Sequence, residues 1–282
     1  MSSQADGLGL SHSALPLLAD VIHDRLGLFY EPSRFDLLAD RLAPLVLDRG
    51  FESFLDYYYL LKYDPDSGDE WHRVADALSV PETYFWREID QLRAVVEHLV
   101  PRLALDDRVL RIWSVPCATG EEPLTLAMLL EESGWFARAA IEIHASDASA
   151  VAIARARAGR FRERAFRTLP PALRARYFRP DGDTWVVDPA LHARITSWSV
   201  ANLMCEGDIL PRARAPIIVC RNVFIYFSAA AIGRTVATFA RAMPAQAYLC
   251  LGASESLLKL RTAFDLEEIG GAFVYVKKRI DA

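Results

Sequence analysis

The chain has 282 residues, 52% of them hydrophobic, and its 32 basic and 37 acidic side chains leave a formal charge of −5. That length fills one large core or two smaller ones. The charge excludes a global basic field for nucleic acid or anionic lipid, and no apolar run approaches the roughly 18 residues that cross a bilayer.

Met1 to Leu10 lack a basic region followed by an apolar stretch, so no signal peptide is expected. From about Ser13 to Leu78 apolar residues recur at three and four, the helical period. Leu15, Leu17, Leu18, Val21 and Ile22 open one helix, which Gly27 ends. Pro32 and Ser33 start the next, with Leu37, Leu38, Leu42 and Leu45 along one face. Pro44 falls inside it and is expected to kink or shorten it. Phe51, Phe54, Leu55, Tyr58 and Tyr59 continue the pattern, and Asp64 to Gly68 is a turn-rich break. Trp71 to Leu78 reads as a short helix and Glu88 to Leu99 as a linking one. These stripes are core-packing faces.

After Pro101 the pattern alternates. Strands are expected near 109–114, 141–146, 215–220, 246–252 and 272–278. Helices are expected near 122–133, 148–158, 229–242 and 255–263. Such alternation implies a mostly parallel sheet covered on both faces. An interruption at about 160–199 contains Asp181-Gly182-Asp183, a turn, between short strand-like runs such as Thr184 to Val187 and Arg194 to Ser199. It reads as a small antiparallel subdomain inserted in the sheet. The fold class is therefore α/β, with an all-helical N-terminal domain over 1–88 and a sheet domain over 89–282.

The first strand runs through Val115-Pro116-Cys117-Ala118-Thr119-Gly120 into a helix beginning near Glu121 and Glu122, and the second strand ends on Asp147. Gly120 and Asp147 stand twenty-seven residues apart, near the spacing at which a βαβ unit sets a carboxylate on a ribose diol. The turn holds one glycine where a dinucleotide fingerprint needs three, so it is not shaped to hug a pyrophosphate. An adenosine ligand without phosphates fits better, and S-adenosylmethionine is the obvious one. Cys117, Cys205, Cys220 and Cys250 form no CxxC, and the six histidines have no ligand spacing. The expectation is reduced thiols, no metal and a cytoplasmic protein.

Four stretches converge: Thr83-Tyr84-Phe85-Trp86-Arg87-Glu88, Ala118 to Pro123, Ala145-Ser146-Asp147, and Cys220-Arg221-Asn222-Val223-Phe224-Ile225-Tyr226-Phe227. In order and spacing they resemble the CheR family of chemoreceptor glutamate methyltransferases, over nearly the whole chain. The resemblance implies a Rossmann-like S-adenosylmethionine-dependent fold. It also implies transfer of a methyl group to receptor glutamates, giving methyl esters and S-adenosylhomocysteine. The implied partner is the cytoplasmic helical bundle of a chemoreceptor, met without membrane insertion or nucleic acid, by a monomer.

The same resemblance assigns residues. Arg87 and Tyr226 are the catalytic pair, Arg87 gripping a carboxylate or orienting the cofactor's own. Thr83, Arg87, Gly120, Glu122, Asp147, Asn202, Leu203, Arg221 and Asn222 bind the cofactor, with Asp147 on the ribose hydroxyls, Asn202 on the purine edge and Leu203 on its face. Cys117 is given packing only.

Departures matter as well. Pro81 stands where many members carry an asparagine that helps bind the cofactor, and Trp86 replaces a common Phe. The stretch from about Glu31 to Gly50, strongly basic in enteric members where it docks on the receptor, carries Arg34, Arg41 and Arg49 against Glu31, Asp36, Asp40 and Asp48, a balance of 3 − 4 = −1. The loop Arg179 to Asp183 is short where receptor-tethered members have a longer one, so no pentapeptide tether is expected. A second reading is a methyltransferase-like module that binds the cofactor or a signalling nucleotide and regulates a partner. Intact Arg87, Glu122, Asp147 and Tyr226 argue against it.

Overall fold

The computed structural model describes residues 12–80, 82–104 and 108–278. Four helices come first: α1 (Leu15–Leu26), α2 (Phe35–Asp48), α3 (Phe54–Tyr63) and α4 (Gly68–Leu78). Gly27 stops α1 by taking a left-handed φ of 78° and donating its N–H to the His23 carbonyl, a stop that favours glycine. Ser53 caps α3 by accepting from the Asp56 N–H. Leu18, Ile22, Leu38, Leu42, Phe54 and Val74 share one core. Leu37 does not join it and is 49% exposed. Leu38 and Leu42, one turn apart, take the core face, and Leu37 lies about 100° around the helix from Leu38. α2 also runs unbroken through Pro44. The proline removes a single backbone donor, and buried Leu42, Ala43 and Val46 around it hold the helix by packing.

Glu70 is buried in this unit and accepts from the Tyr57 hydroxyl at 2.7 Å and from Arg49 Nε at 2.7 Å. Arg73 adds an ion pair at 3.2 Å. Burial and the Glu70 carboxylate together push the Tyr57 phenol up, so it stays a hydroxyl donor.

A linking helix, α5 (Ile89–Ala94), widens into a π turn at Val95–Leu99. The sheet unit then alternates: β1 (Leu110–Ser114), α6 (Glu121–Glu132), β2 (Ile141–Asp147) and α7 (Ala150–Ala158). β3 (Arg160–Arg162), β4 (Phe178–Asp181) and β5 (Thr184–Val187) follow, then β6 (Ile195–Val200) and α8 (Glu206–Arg212). β7 (Ile217–Val219), α9 (Ala229–Ala242), β8 (Tyr248–Cys250), β9 (Phe264–Ile269) and β10 (Ala272–Lys277) complete it. The main sheet has the order β6-β2-β1-β7-β8-β10-β9. Its first five strands are parallel, and β10 pairs antiparallel with both β8 and β9. Alternate residues face opposite layers: Ile112, Ile217 and Val219 pack on one face, Trp113 and Ile218 on the other.

Two expectations change. The small antiparallel sheet has the order β3-β5-β4 and ends at Val187. The run 195–200 is instead the edge strand of the main sheet, parallel to β2. No helix forms over 255–263. The Glu255 side chain there accepts three backbone N–H groups, from Gly252, Asn222 and Phe224, and the chain continues into β9, a strand its polar run Asp265-Leu266-Glu267-Glu268 conceals. Among the described residues no helix is long and apolar enough to cross a membrane, and no cluster of His, Cys, Asp or Glu is set to hold a metal ion.

Candidate active site

The C-terminal ends of β1, β2, β6 and β7 open into one cavity, the position expected for a ligand in an open parallel sheet. Its first wall is the turn after β1. The Cys117 N–H donates to the Ser146 carbonyl and the Ala118 N–H to Asp147 Oδ2 at 2.9 Å, so the end of β2 shapes the turn after β1. Asp147 Oδ1 accepts from the Ser149 N–H at 2.9 Å. Asp147 is buried, which pushes its carboxyl up against the pull of those two N–H groups. Glu122 also lines the cavity, accepting from Ser114 Oγ at 2.8 Å with Arg221 Nε 3.6 Å away. Burial pushes its carboxyl up too, opposed by Arg221. Cys117 is buried, and burial with the Asp147 and Glu122 charges holds its thiol protonated.

The second wall is the segment after β7. Arg221 is 3% exposed, and its Nη2 donates to the Arg87 carbonyl at 2.7 Å and approaches Glu88 Oε2 at 3.4 Å. Its Nε and Nη1 have no hydrogen-bond partner among the described residues. A buried guanidinium left with free donors is costly unless a ligand takes them. Burial pushes Glu88 up, but the Ala253 N–H, Arg221 and Asn222 outweigh it and hold the carboxyl below its ordinary value. Tyr226 lies in a single helical turn, Phe224–Tyr226, at the mouth.

The third wall is the link. Thr83, Tyr84 and Arg87 line the cavity. Arg87 Nη1 donates to the Glu82 carbonyl at 2.6 Å, and its guanidinium lies 5.7 Å from the Tyr84 ring centre. Phe85 turns away and packs among Phe161 and Phe178 of the small sheet and Phe166 of the helical turn Glu163–Phe166 between them, with its N–H on the Ala165 carbonyl. Glu82 pairs with Arg164 and Arg167 of the same subdomain. Pro81, expected to cost a cofactor contact, lies outside the described residues.

The structure thus gathers Thr83, Arg87, Glu122, Asp147, Asn202, Leu203, Arg221, Asn222 and Tyr226 at one cavity. One assignment changes. Gly120 does not line it. Gly120 has φ of 101°, and an added Cβ would stand 3.0 Å from the Trp198 ring and 3.2 Å from the Ala156 Cβ. Its role is to turn the chain tightly against β6 and α7. Asn202 reaches the cavity, but its amide is engaged: Nδ2 donates to the Arg25 carbonyl at 2.7 Å and Oδ1 accepts from the Met204 N–H. It joins the helical unit to the sheet, with one N–H and one acceptor position of the amide left over.

A fourth wall escaped the sequence. Leu28, Phe29, Tyr30 and Arg34 of the helical unit line the same cavity. The Phe29 N–H donates to the Tyr226 carbonyl at 2.8 Å, beside an isolated bridge between Leu28 and Phe227. Nothing in the pattern of residues 28–34 marks them for this, because the approach is purely tertiary. Thr125, which accepts from the Trp86 N–H, is a further lining residue hidden in an apolar helix.

Buried Asp147, half-buried Glu122, a buried guanidinium with an unpartnered Nη1 and apolar Leu203 and Phe227 suit a ligand that carries an ammonium, a carboxylate, a diol and an aromatic base. S-adenosylmethionine has all four. Comparison with known proteins agrees. Residues 81–272 match the model of the CheR methyltransferase SAM binding domain, and residues 13–79 that of the CheR methyltransferase all-alpha domain. The chain is 30% identical to chemotaxis protein methyltransferase 2 of Vibrio cholerae, across 92% of this chain and 90% of that protein. It is 29% identical to chemotaxis protein methyltransferase 1 of Pseudomonas aeruginosa, across 86% and 89%. It is also 29% identical to the probable biofilm formation methyltransferase WspC of Pseudomonas putida, across 93% of this chain and 61% of the other.

Proposed function

The chain belongs to the CheR methyltransferase family, and from that premise we propose that it methylates glutamate side chains of a chemoreceptor in the cytoplasm. The cofactor is S-adenosylmethionine, which supplies a methyl group on a sulfonium, already a good leaving group. A glutamate carboxylate is ionised at neutral pH, so no general base is needed. What the residues must do is hold two groups in line at about 3–3.5 Å.

The observation that carries this reading is the convergence of Arg87, Arg221, Glu122, Asp147 and Tyr226 on one cavity. In this reading Glu122 and Asp147 hold the ammonium and diol ends of the cofactor. Arg221 Nη1, which has no hydrogen-bond partner among the described residues, is the donor left for the cofactor's carboxylate, while Nε stays beside Glu122. Arg87, 25% exposed at its side chain and nearer the mouth, is left to orient the incoming glutamate with the Tyr226 hydroxyl. The apolar lip of Phe29 and Leu37, 50% and 49% exposed, offers a surface for the protein that brings the glutamate. The deciding experiment incubates the protein with radiolabelled cofactor and membranes of its source organism, then tests for base-labile methyl ester. Label on a receptor band supports the proposal. Tight cofactor binding with no label on any receptor overturns it in favour of a regulatory module.

A further inference from the structure

We propose that Glu255 is a positioning residue for methyl transfer, setting the turn that presents Tyr226; this rests on the reading of Tyr226 above. Glu255 lies outside the cavity. Its Oε2 accepts from the N–H groups of Asn222 at 2.8 Å and Gly252 at 2.7 Å. Its Oε1 accepts from the Phe224 N–H at 2.6 Å. Charge-assisted bonds of this kind are short and strong, and they fall on Asn222 and, two residues on, on Phe224. Asn222 has φ of 62°, the left-handed conformation that asparagine adopts more readily than other non-glycine residues, and it turns the chain between the two bonds. The single helical turn Phe224–Tyr226 begins where Oε1 grips. One carboxylate thus fixes the chain before and after that turn starts.

The surroundings are built around this carboxylate. Gly252 admits no side chain: an added Cβ would stand 2.6 Å from Asn222 Nδ2 and 2.9 Å from Glu255 Oε2. Asn222 Nδ2 donates to Glu88 Oε1 at 3.1 Å, and Glu88 Oε2 accepts from the Ala253 N–H at 2.9 Å. Glu88 follows Arg87 in sequence. The clasp therefore joins the Tyr226 turn to the Arg87 segment through two carboxylates, neither of which meets a substrate.

The two oxygens do different jobs, and that makes a sharp test. In Glu255→Gln the remaining oxygen serves best facing the two donors Asn222 and Gly252, which sets the new NH2 against the Phe224 N–H. The Tyr226 turn loses its anchor while the Asn222 side is kept. With radiolabelled S-adenosylmethionine and source membranes, kcat is expected to fall on the order of 10- to 100-fold, the scale of a misplaced reacting group. Calorimetric affinity for S-adenosylhomocysteine is expected to stay within about threefold. Combined with Tyr226→Phe, Glu255→Gln should add little, because both act through one hydroxyl. Wild-type kcat in Glu255→Gln while Tyr226→Phe is impaired overturns the positioning role alone. So does a Glu255→Gln loss that persists in full on the Tyr226→Phe background. Wild-type kcat in Tyr226→Phe overturns the reading of Tyr226 itself, and the route from Glu255 with it.

Discussion

Arg221 donates from Nη2 to the backbone carbonyl of Arg87 at 2.7 Å, so the buried cation of one wall sets the main chain beneath the cation of another. Arg221→Ala removes that bond and two buried donors that have no hydrogen-bond partner among the described residues. It also leaves Glu122 buried without its nearest cation. The expected result is a loss of S-adenosylhomocysteine affinity of about 2–4 kcal/mol, read by calorimetry. Arg221→Lys should not rescue it, because a single ammonium cannot reach Arg87 and the ligand together.

Cofactor binding should weaken in acid sooner than ordinary carboxylates would suggest. Burial raises the carboxyls of Glu122 and Asp147; on the proposed reading the ligand's ammonium selects the ionised form of Glu122, and its diol donates to the ionised form of Asp147. For folding the sign is opposite: a raised carboxyl contributes stability that is full below its unfolded value and lost as pH rises through the folded one. The unliganded protein thus bears a penalty at neutral pH that ligand binding relieves. Titrations from about pH 8 down to about pH 5 should show affinity falling above the usual carboxylate range. Glu122→Gln should bind more weakly and flatten that dependence; an unchanged slope would remove Glu122 from the ammonium end.

Tyr57→Phe tests the helical unit apart from the chemistry. It leaves the fully buried Glu70 carboxylate with one donor fewer. The expected cost is about 1–3 kcal/mol, measured as a lower midpoint in urea. S-adenosylhomocysteine affinity should hold, since neither Tyr57 nor Glu70 lines the cavity.

A two-residue turn, Gly182-Asp183, joins β4 to β5. Gly182 takes φ of 62° there, and the hairpin closes without a loop to fold over a peptide. Calorimetry with a receptor C-terminal pentapeptide should therefore detect no micromolar binding, and a clear isotherm would reverse that expectation.

Much of this was legible from residue pattern. The αL stop at Gly27 and the parallel strands around Ile112 and Ile218 follow from local chemistry. Cys117 to Pro123 read as a tight turn into a helix because small residues with a glycine N-cap suit such a junction. Residues 195–200 were assigned to the wrong sheet because a strand's sequence records that it pairs, not with which neighbour. The helix expected at 255–263 failed for a related reason. Glu255, Leu258 and Leu260 carry helical propensity, but Glu255 spends its carboxylate on backbone donors far along the chain. Asn202 has a side chain suited to a base edge, and only the fold reveals that Arg25 and Met204 take one donor and one acceptor position of it.

The bond from the Phe29 N–H to the Tyr226 carbonyl bears on how such proteins can be recombined. A chimera that joins the helices of one relative to the sheet of another would appear to exchange only a docking surface. It would also exchange the backstop of the tyrosine. On the proposed reading of Tyr226, the join between the two units belongs to the catalytic apparatus and is inherited as a pair, and partner choice borrowed by grafting those helices would arrive with an altered turnover.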